Sequence, residues 1–335
     1  MYHVRLKGNH YEIGYHWGSL LASRGNYILN NIPFTITEDR IHFSKQCIPI
    51  YKEYFPDILN EIQGLADGQK CSVDDLYTVL FSMYAMPPAC NCSCFAVSNG
   101  ENIFFGRNSD FLTELRKSNM NVIYYFSGIS YDFVGNTTSF IEIEDGVNEK
   151  GLAIGLTSVY PDKIKPGLNA GMMLRLFLEK CSLTNEVIEL IYKIPISSAQ
   201  TFTVADITGD IAVIEFNATK IEIIKPLENM PFVCATNVFH SEKMSLFNND
   251  TIDNWQAEER YQTLINTLKN KASTMNIDNA KELLSGKDGF LCQYDRKTGK
   301  DTVWSVIYDL KKKQIYQVNG NPGRKKFNKD DRFLF

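Results

Sequence analysis

The run Cys92-Ser93-Cys94-Phe95-Ala96-Val97 is followed, across the polar gap Ser98-Asn99-Gly100-Glu101, by Phe105-Gly106-Arg107-Asn108-Ser109-Asp110-Phe111. Two strand-like runs around a glycine-containing gap predict a β-hairpin. Its first strand opens on a cysteine, and its second carries an arginine and an aspartate back toward that cysteine. A thiol with an ordinary pKa of ~8.5 is a weak nucleophile at neutral pH, and a nearby cation favours the reactive thiolate. Arg107 can supply that cation without ever deprotonating, and the Asp110 carboxylate can orient an amine beside the thiol. Cys92 is therefore the candidate nucleophile. The plain alternative is that Cys92, Cys94 and Ala96 pack inward on a core strand, a common use of free cysteine.

A nucleophile of this kind needs a base. His240 is the only histidine after residue 42 and reads as a surface or supporting residue, which argues against a Cys–His pair. The α-amino group of a chain that begins at the cysteine would serve instead, its ordinary pKa being ~7.7–8.0. That role requires the Asn91–Cys92 bond to be cut. Cys90, Cys92 and Cys94 alternate, but no second Cys pair or His pair accompanies them, so neither a metal nor another cofactor is expected.

These residues need elements to position them. The first ninety residues read as helical after a strand at 4–7, with helices at 10–21, 51–66 and 74–86. Pro56 marks an early turn or kink of the second helix, and Pro87-Pro88 ends the third. Gly14 and Gly18, one turn apart, predict a close helix approach. From residue 92 the pattern changes to strands at 92–98, 102–107, 121–126, 139–144, 151–157, 200–206, 211–217, 220–225, 303–308 and 314–318. Helices interrupt at about 169–181, 184–193, 254–270 and 277–284. Two groups of strands with helices between them fit a layered α+β sandwich with helices on its outer faces. The junction near residue 91 separates a helical segment, residues 1–91, from a mixed body, residues 92–335, with no repeat or flexible tether.

A chain of 335 residues with 44% hydrophobic content can bury the core of one large domain or two smaller ones. The net charge of −4 is mild, and the basic clusters at 311–313 and 324–326 read as solvated turns. Nucleic acid is thus not an expected partner. No run reaches the ~18 apolar residues of a membrane span, and the first residues lack the apolar core of a signal peptide. A cytoplasmic protein with no membrane partner is expected, its eight cysteines being free thiols.

The twenty residues from Cys92 to Phe111 resemble the start of the mature subunit in the penicillin acyltransferase family (peptidase family C45) of the N-terminal nucleophile hydrolases. The shared pattern is Cys, fourteen residues, Gln or Arg, then Asn-x-Asp-Phe, and of the three alternating cysteines only Cys92 keeps it. The form Gly-Arg-Asn-x-Asp is also that of the related choloylglycine hydrolases. Asp145-Gly146-Val147-Asn148-Glu149-Lys150-Gly151-Leu152 is similar to a turn-and-strand of the family, in which Asn148 and Gly151 suit a structural turn. Ala205-Asp206-Ile207-Thr208-Gly209-Asp210 resembles an architectural hairpin. For the oxyanion, the resemblance implies a backbone N–H aligned with Thr157 and the side-chain amide of Asn237 in Cys234-Ala235-Thr236-Asn237. It also implies a late arginine, for which Arg260 in Glu258-Glu259-Arg260-Tyr261 and Arg296 are rival candidates. One departure is Asn91, since the fungal acyltransferase has glycine before its nucleophile.

The resemblance implies a four-layer αββα sandwich and a self-processing cysteine amidase or acyltransferase. Cys92 would cut the Asn91–Cys92 bond, and residues 1–91 would stay bound as a small subunit. A small N-acylated amine would then be cleaved, or its acyl group transferred, through a thioester. A homo-oligomer is compatible with this reading. One alternative is a choloylglycine-type hydrolase of bile salts or penicillin V, against which stands the long helical segment before the nucleophile. The other is a catalytically silent member that binds ligands with the same sandwich.

Overall fold

The computed structural model of the chain describes residues 1–86, 91–249 and 251–335. Pro87, Pro88 and Cys90 lie outside these residues. The N-terminal segment forms β1 (Tyr2–Gly8), α1 (His10–Ala22), α2 (Glu38–Tyr54), α3 (Pro56–Gln69) and α4 (Val73–Met83). The single helix expected over 51–66 is two helices. Pro56 lacks an N–H and occupies the first position of α3, while Phe55 before it leaves the helical region at φ −146° and ψ 61°. The preceding α2 begins at Glu38, capped by Thr37, whose side chain accepts from the Arg40 N–H. α1 and α3 cross almost backbone to backbone. A Cβ on Gly14 would stand 1.9 Å from the Glu61 carbonyl oxygen, and one on Gly64 2.1 Å from that of Tyr11.

The body contributes β2 (Asn91–Ser98), β3 (Ile103–Leu112), β4 (Met120–Phe126), β5 (Phe133–Thr137), β6 (Asp145–Asn148) and β7 (Ala153–Ser158). After α5 (Ala170–Lys180) and α6 (Thr184–Ile191) come β8 (Gln200–Ala205), β9 (Ile211–Phe216), β10 (Ile221–Ile224) and β11 (Phe232–Ala235). The chain closes with α7 (Ala257–Lys271), α8 (Ile277–Leu284), β12 (Lys300–Asp309), β13 (Gln314–Val318) and β14 (Asn328–Asp330). The strand expected at 139–144 is instead a loop flanked by β5 and β6. Phe140 has φ +62° there, which no strand accommodates, and the Glu142 N–H closes a turn on the Ser139 carbonyl instead of joining a ladder.

One sheet has the order β1-β4-β5-β6-β7-β8-β9-β10, the other β11-β2-β3-β12-β13-β14. Their inner faces share a core in which Cys94, Ala96 and Phe105 meet Ile123, Val134 and Val147. The outer face of the larger sheet is covered by α1 to α6, and that of the smaller by α7 and α8. The result is an αββα sandwich of mixed α+β class.

The N-terminal segment is part of this sandwich. β1 pairs in parallel with β4 along its whole length. Arg175 of α5, wholly buried, is bonded to Glu61 of α3 at 2.5 Å and to Glu179 at 2.9 Å, and Glu179 in turn meets His10 at 2.9 Å. Separating the segment from the body would strip Glu61 of its buried partner and leave Arg175 with Glu179 alone, which is destabilising. Among the described residues no helix is long and apolar enough to cross a membrane.

Candidate active site

β2 and β3 pair so that Cys92 stands opposite Ser109, Cys94 opposite Arg107 and Asn91 opposite Asp110. Side chains alternate across a strand, so Cys92, Cys94 and Arg107 point between the sheets. Arg107 is wholly buried there. Its Nη2 donates to Cys92 Sγ at 2.8 Å, its Nη1 to Asp145 Oδ2 at 2.7 Å and its Nε to the Leu156 carbonyl at 3.0 Å. A guanidinium against the sulfur stabilises the negative charge of a thiolate, and low polarity between the sheets strengthens the effect. Cys94 is a different kind of thiol. Burial pushes it up to about 12 despite the opposing pull of Arg107.

The main chain of Cys92 is held as firmly as its sulfur. Its N–H donates to Asn237 Oδ1 at 2.8 Å, and Asn237 Nδ2 donates to the Ser158 carbonyl at 2.8 Å. Arg260 Nη1 donates to the Cys92 carbonyl at 2.6 Å and to Ser93 Oγ at 3.0 Å, while its Nη2 donates to Asn237 Oδ1 at 2.8 Å. Arg260 sits in the first turn of α7. Trp255 and Gln256 just before it both have positive φ, and the carbonyls of Asn254 and Trp255 take the remaining Arg260 donors. Arg296, the rival, is more than half exposed and pairs with Asp301. Of the two arginines, Arg260 is the one at Cys92.

Asp110 lies on the α7 side of the sheet, with Tyr294 Oη donating to it at 2.9 Å, Thr302 Oγ1 at 2.6 Å and Arg260 Nη1 3.8 Å away. Burial pushes its carboxyl up to about 6, against the lowering pull of Arg260, Thr302 and Tyr294. Thr157 requires a correction. The Leu156 N–H donates to Glu144 across to β6, whereas Thr157 is paired with Thr201 of β8. Antiparallel alternation therefore turns the Thr157 N–H toward β8, and the Ser158 backbone, whose carbonyl meets Asn237, faces the site.

The family model for acyl-coenzyme A:6-aminopenicillanic acid acyl-transferase matches residues 97–324. The chain belongs to this family. It is a family of amide hydrolysis or acyl transfer, of the N-terminal nucleophile type. The matched span contains Arg107, Asp110, Asn237 and Arg260 and begins just after Cys92. Among solved structures, the chain is similar to a mutant of the conjugated bile acid hydrolase from Clostridium perfringens, at 14% identity and TM-score 0.48, over 72% of this chain and 92% of that one. It is also similar to a Caenorhabditis elegans ortholog of N-acylethanolamine-hydrolyzing acid amidase, at 16% identity and TM-score 0.48, over 66% and 93%. Penicillin V acylase from Agrobacterium tumefaciens gives 15% identity and TM-score 0.45, over 68% and 82%. The comparison with curated proteins finds no match.

Several residues around the family's cysteine and arginine positions escaped sequence reasoning. Asp145, the buried partner of Arg107, also accepts from Trp304 Nε1, Tyr308 Oη and Asn136 Nδ2. Its signal was its place at the head of the Asp-Gly-x-Asn-Glu run, which reads as a turn. Asn148 of that run does build the turn, accepting from the Lys150 and Leu152 N–H groups and donating to the Leu178 and Cys181 carbonyls, and Gly151 follows at φ +82°. A bulge between Thr302 and Trp304 of β12 lets the first reach Asp110 and the second Asp145. Asn91 is buried and, in the orientation that satisfies both amide atoms, donates to the Asn254 carbonyl and accepts from Trp255 Nε1. Beside it lies a small cleft whose walls include Ser158, Tyr160, Asn237, Asp253 and Asn254. No cluster among the described residues could hold a metal ion.

Proposed function

We propose that the chain is a self-processing cysteine amidase or acyltransferase with Cys92 as its nucleophile. The reading rests above all on the 2.8 Å contact between Arg107 Nη2 and Cys92 Sγ. In the first step Cys92 Sγ attacks the carbonyl carbon of Asn91, the carbon–nitrogen bond breaks and the nitrogen takes up the thiol proton. Water then hydrolyses the resulting thioester, leaving an Asn91 carboxylate, a free Cys92 thiol and a free α-amine. Residues 1–91 stay bound through the Arg175 network and the β1–β4 pairing. The expected cytoplasmic location belongs to the same reading.

In turnover the α-amine takes the thiol proton, and the thiolate attacks the substrate amide carbonyl. Asn237 Oδ1 holds the amine, while Asn237 Nδ2 and the Ser158 N–H stabilise the oxyanion. The leaving amine takes the proton from the α-ammonium. Water or a second amine then attacks the thioester, the α-amine again serving as base, and the thiol is restored. Arg260 acts through Asn237 and the Cys92 carbonyl, and Asp110 through Arg260, so both are positioning residues. A catalytically silent scaffold would have no use for a desolvated arginine held against a thiol, which favours the enzyme over that alternative. The test is the intact mass of the purified protein, which should show fragments 1–91 and 92–335, together with release of amine from a panel of N-acyl amines. A single uncut species that is fully active would end the proposal.

Two further outcomes follow from this geometry. Asn237→Ala removes one oxyanion donor and should lower kcat of the processed enzyme by roughly 10²–10³-fold. Steady-state kinetics check it, and a change in KM alone would count against the assignment.

The second concerns pH. The Asp110 carboxyl is raised from 3.8 to about 6 in the folded chain, so the folded state holds that proton more tightly than the unfolded state. Its contribution to stability is therefore greatest below about pH 4, falls as pH rises to about 6 and is flat above, a span of about 3 kcal/mol. Protonation of the α-amine sets one acid limb of kcat/KM, and loss of the carboxylate that orients the site should add a second fall below about pH 6. Asp110→Asn should remove the second fall and leave the first, and a second fall unchanged in the variant would assign it to another group.

A further inference from the structure

The residue before the scissile bond is held as closely as the residue after it. Cys92 and Cys94 point between the sheets, so alternation along β2 sends the Asn91 side chain out of the opposite face, toward α7. There the buried Asn91 donates through Nδ2 to the Asn254 carbonyl at 3.0 Å and accepts through Oδ1 from Trp255 Nε1 at 3.2 Å. An acceptor and a donor side by side match a primary carboxamide. Glycine or a purely apolar side chain would satisfy neither, and aspartate only one.

The loop that meets Asn91 is itself fixed. Trp255 and Gln256 stand at φ +53° and +59°, where bulky residues persist only if their surroundings dictate it. Asp253 Oδ1 accepts from the Trp255 N–H at 3.1 Å, and Asn254 Oδ1 from the Ala257 N–H at 3.2 Å. The indole lies 4.9 Å from Lys300 Nζ on one side and meets Tyr294 edge-on. The carbonyls of Asn254 and Trp255 also take donors of Arg260, whose Nη1 holds the Cys92 carbonyl. One loop thus grips the chain on both sides of the Asn91–Cys92 bond, Asn91 directly and Cys92 through Arg260.

We propose that Asn254 and Trp255 recognise the Asn91 side chain and so position the scissile carbonyl for Cys92 Sγ, making asparagine a condition of rapid self-cleavage. The inference rests on the reading of Cys92 as the nucleophile of the cut and adds the residues that present its first substrate. Arg107 anchors the sulfur on the inner face, and the carbonyl carbon is one bond from the Asn91 Cα that the loop holds on the outer face. With both side chains anchored the peptide unit between them cannot turn freely, and the attack becomes an oriented intramolecular step. Asn254 and Trp255 are positioning residues, since neither gives an atom or a proton to the reaction.

The test is the rate of the cut, followed by intact mass on the full chain after a short pulse of cell-free synthesis. Asn91→Leu, close to asparagine in size, loses both hydrogen bonds and should slow the appearance of fragments 1–91 and 92–335 by roughly tenfold. Trp255→Phe should slow the cut of the natural chain by roughly two- to tenfold. It should leave the rate of the Asn91→Leu chain unchanged, because the bond it removes is already absent there. Asn91→Asp keeps the size and the acceptor but loses the donor, and it decides the matter if Trp255→Phe fails to fold. A slower cut in that variant supports the proposal. A cut of Asn91→Leu or Asn91→Asp at the natural rate, or equal slowing by Trp255→Phe in both chains, overturns it. Those outcomes leave a protein that still cuts before Cys92 and lose this inference alone, whereas a natural chain that never cuts would take the underlying reading with it.

Discussion

Cys92→Ala should leave the chain as one uncut 38.2 kDa polypeptide without measurable amide cleavage. The substitution removes one buried sulfur and no hydrogen-bond partner of the main chain, so the hairpin and its clamps should persist. The chemistry should not. Without the sulfur no acyl shift can occur at Asn91, no α-amine is released, and nucleophile and base are lost together. Removing a nucleophile from a comparable unit lowers kcat by about 10⁶-fold, leaving only the contribution of oxyanion donors and binding. Intact mass and amine release are the two readouts. Fragments 1–91 and 92–335 appearing in the alanine variant would show that the cut does not depend on this thiol.

Arg107→Met should act on both stability and rate, and the two can be separated. Arg107 and Asp145 are both wholly buried and 2.7 Å apart. Truncating one partner of such a pair leaves the other charge unpaired, at about 3–5 kcal/mol. The three donors from Asn136, Trp304 and Tyr308 soften that loss, so the lower figure is the one to expect. The thiol also loses the cation at 2.8 Å, and both processing and turnover should slow by orders of magnitude. Adding Asp145→Asn removes the stranded charge. The double variant should recover most of the urea midpoint and none of the activity, whereas activity returning with stability would reduce Arg107 to a structural role. Arg107→Lys keeps the charge but not the fork that reaches Cys92, Asp145 and Leu156 at once, and should rescue only in part.

The family match does not itself reach Cys92. The matched span begins at residue 97, so Cys92 enters through the spacing of the hairpin and through the side chains that converge on it. Convergence matters more than proximity of any one residue. Arg107 meets the sulfur, while Asn237 and Arg260 meet the nitrogen and the carbonyl of the same residue. A cysteine that merely packed a core strand would be served by apolar neighbours, as Cys234 is, its thiol raised by burial alone.

The sequence by itself determined what is local. The hairpin that sets Arg107 against Cys92 is closed by a short turn, and the α1–α3 crossing is announced by glycines one turn apart, whereas Pro56, read as a kink within one helix, proved to start a new one. Those features depend on residues close in the chain or on the chemistry of one residue. What the tertiary structure decided are the partners of Cys92, Arg107 and Asp110. Arg260 reaches Cys92 across 168 residues and Tyr294 reaches Asp110 across 184. Asp145 becomes the counter-charge of Arg107 only when the two sheets stack. The turn of Ser158, rather than Thr157, toward the site follows from which neighbour each edge of β7 pairs with. No periodicity encodes such meetings, because a buried charge chooses its partner from whatever the packed layers bring within reach.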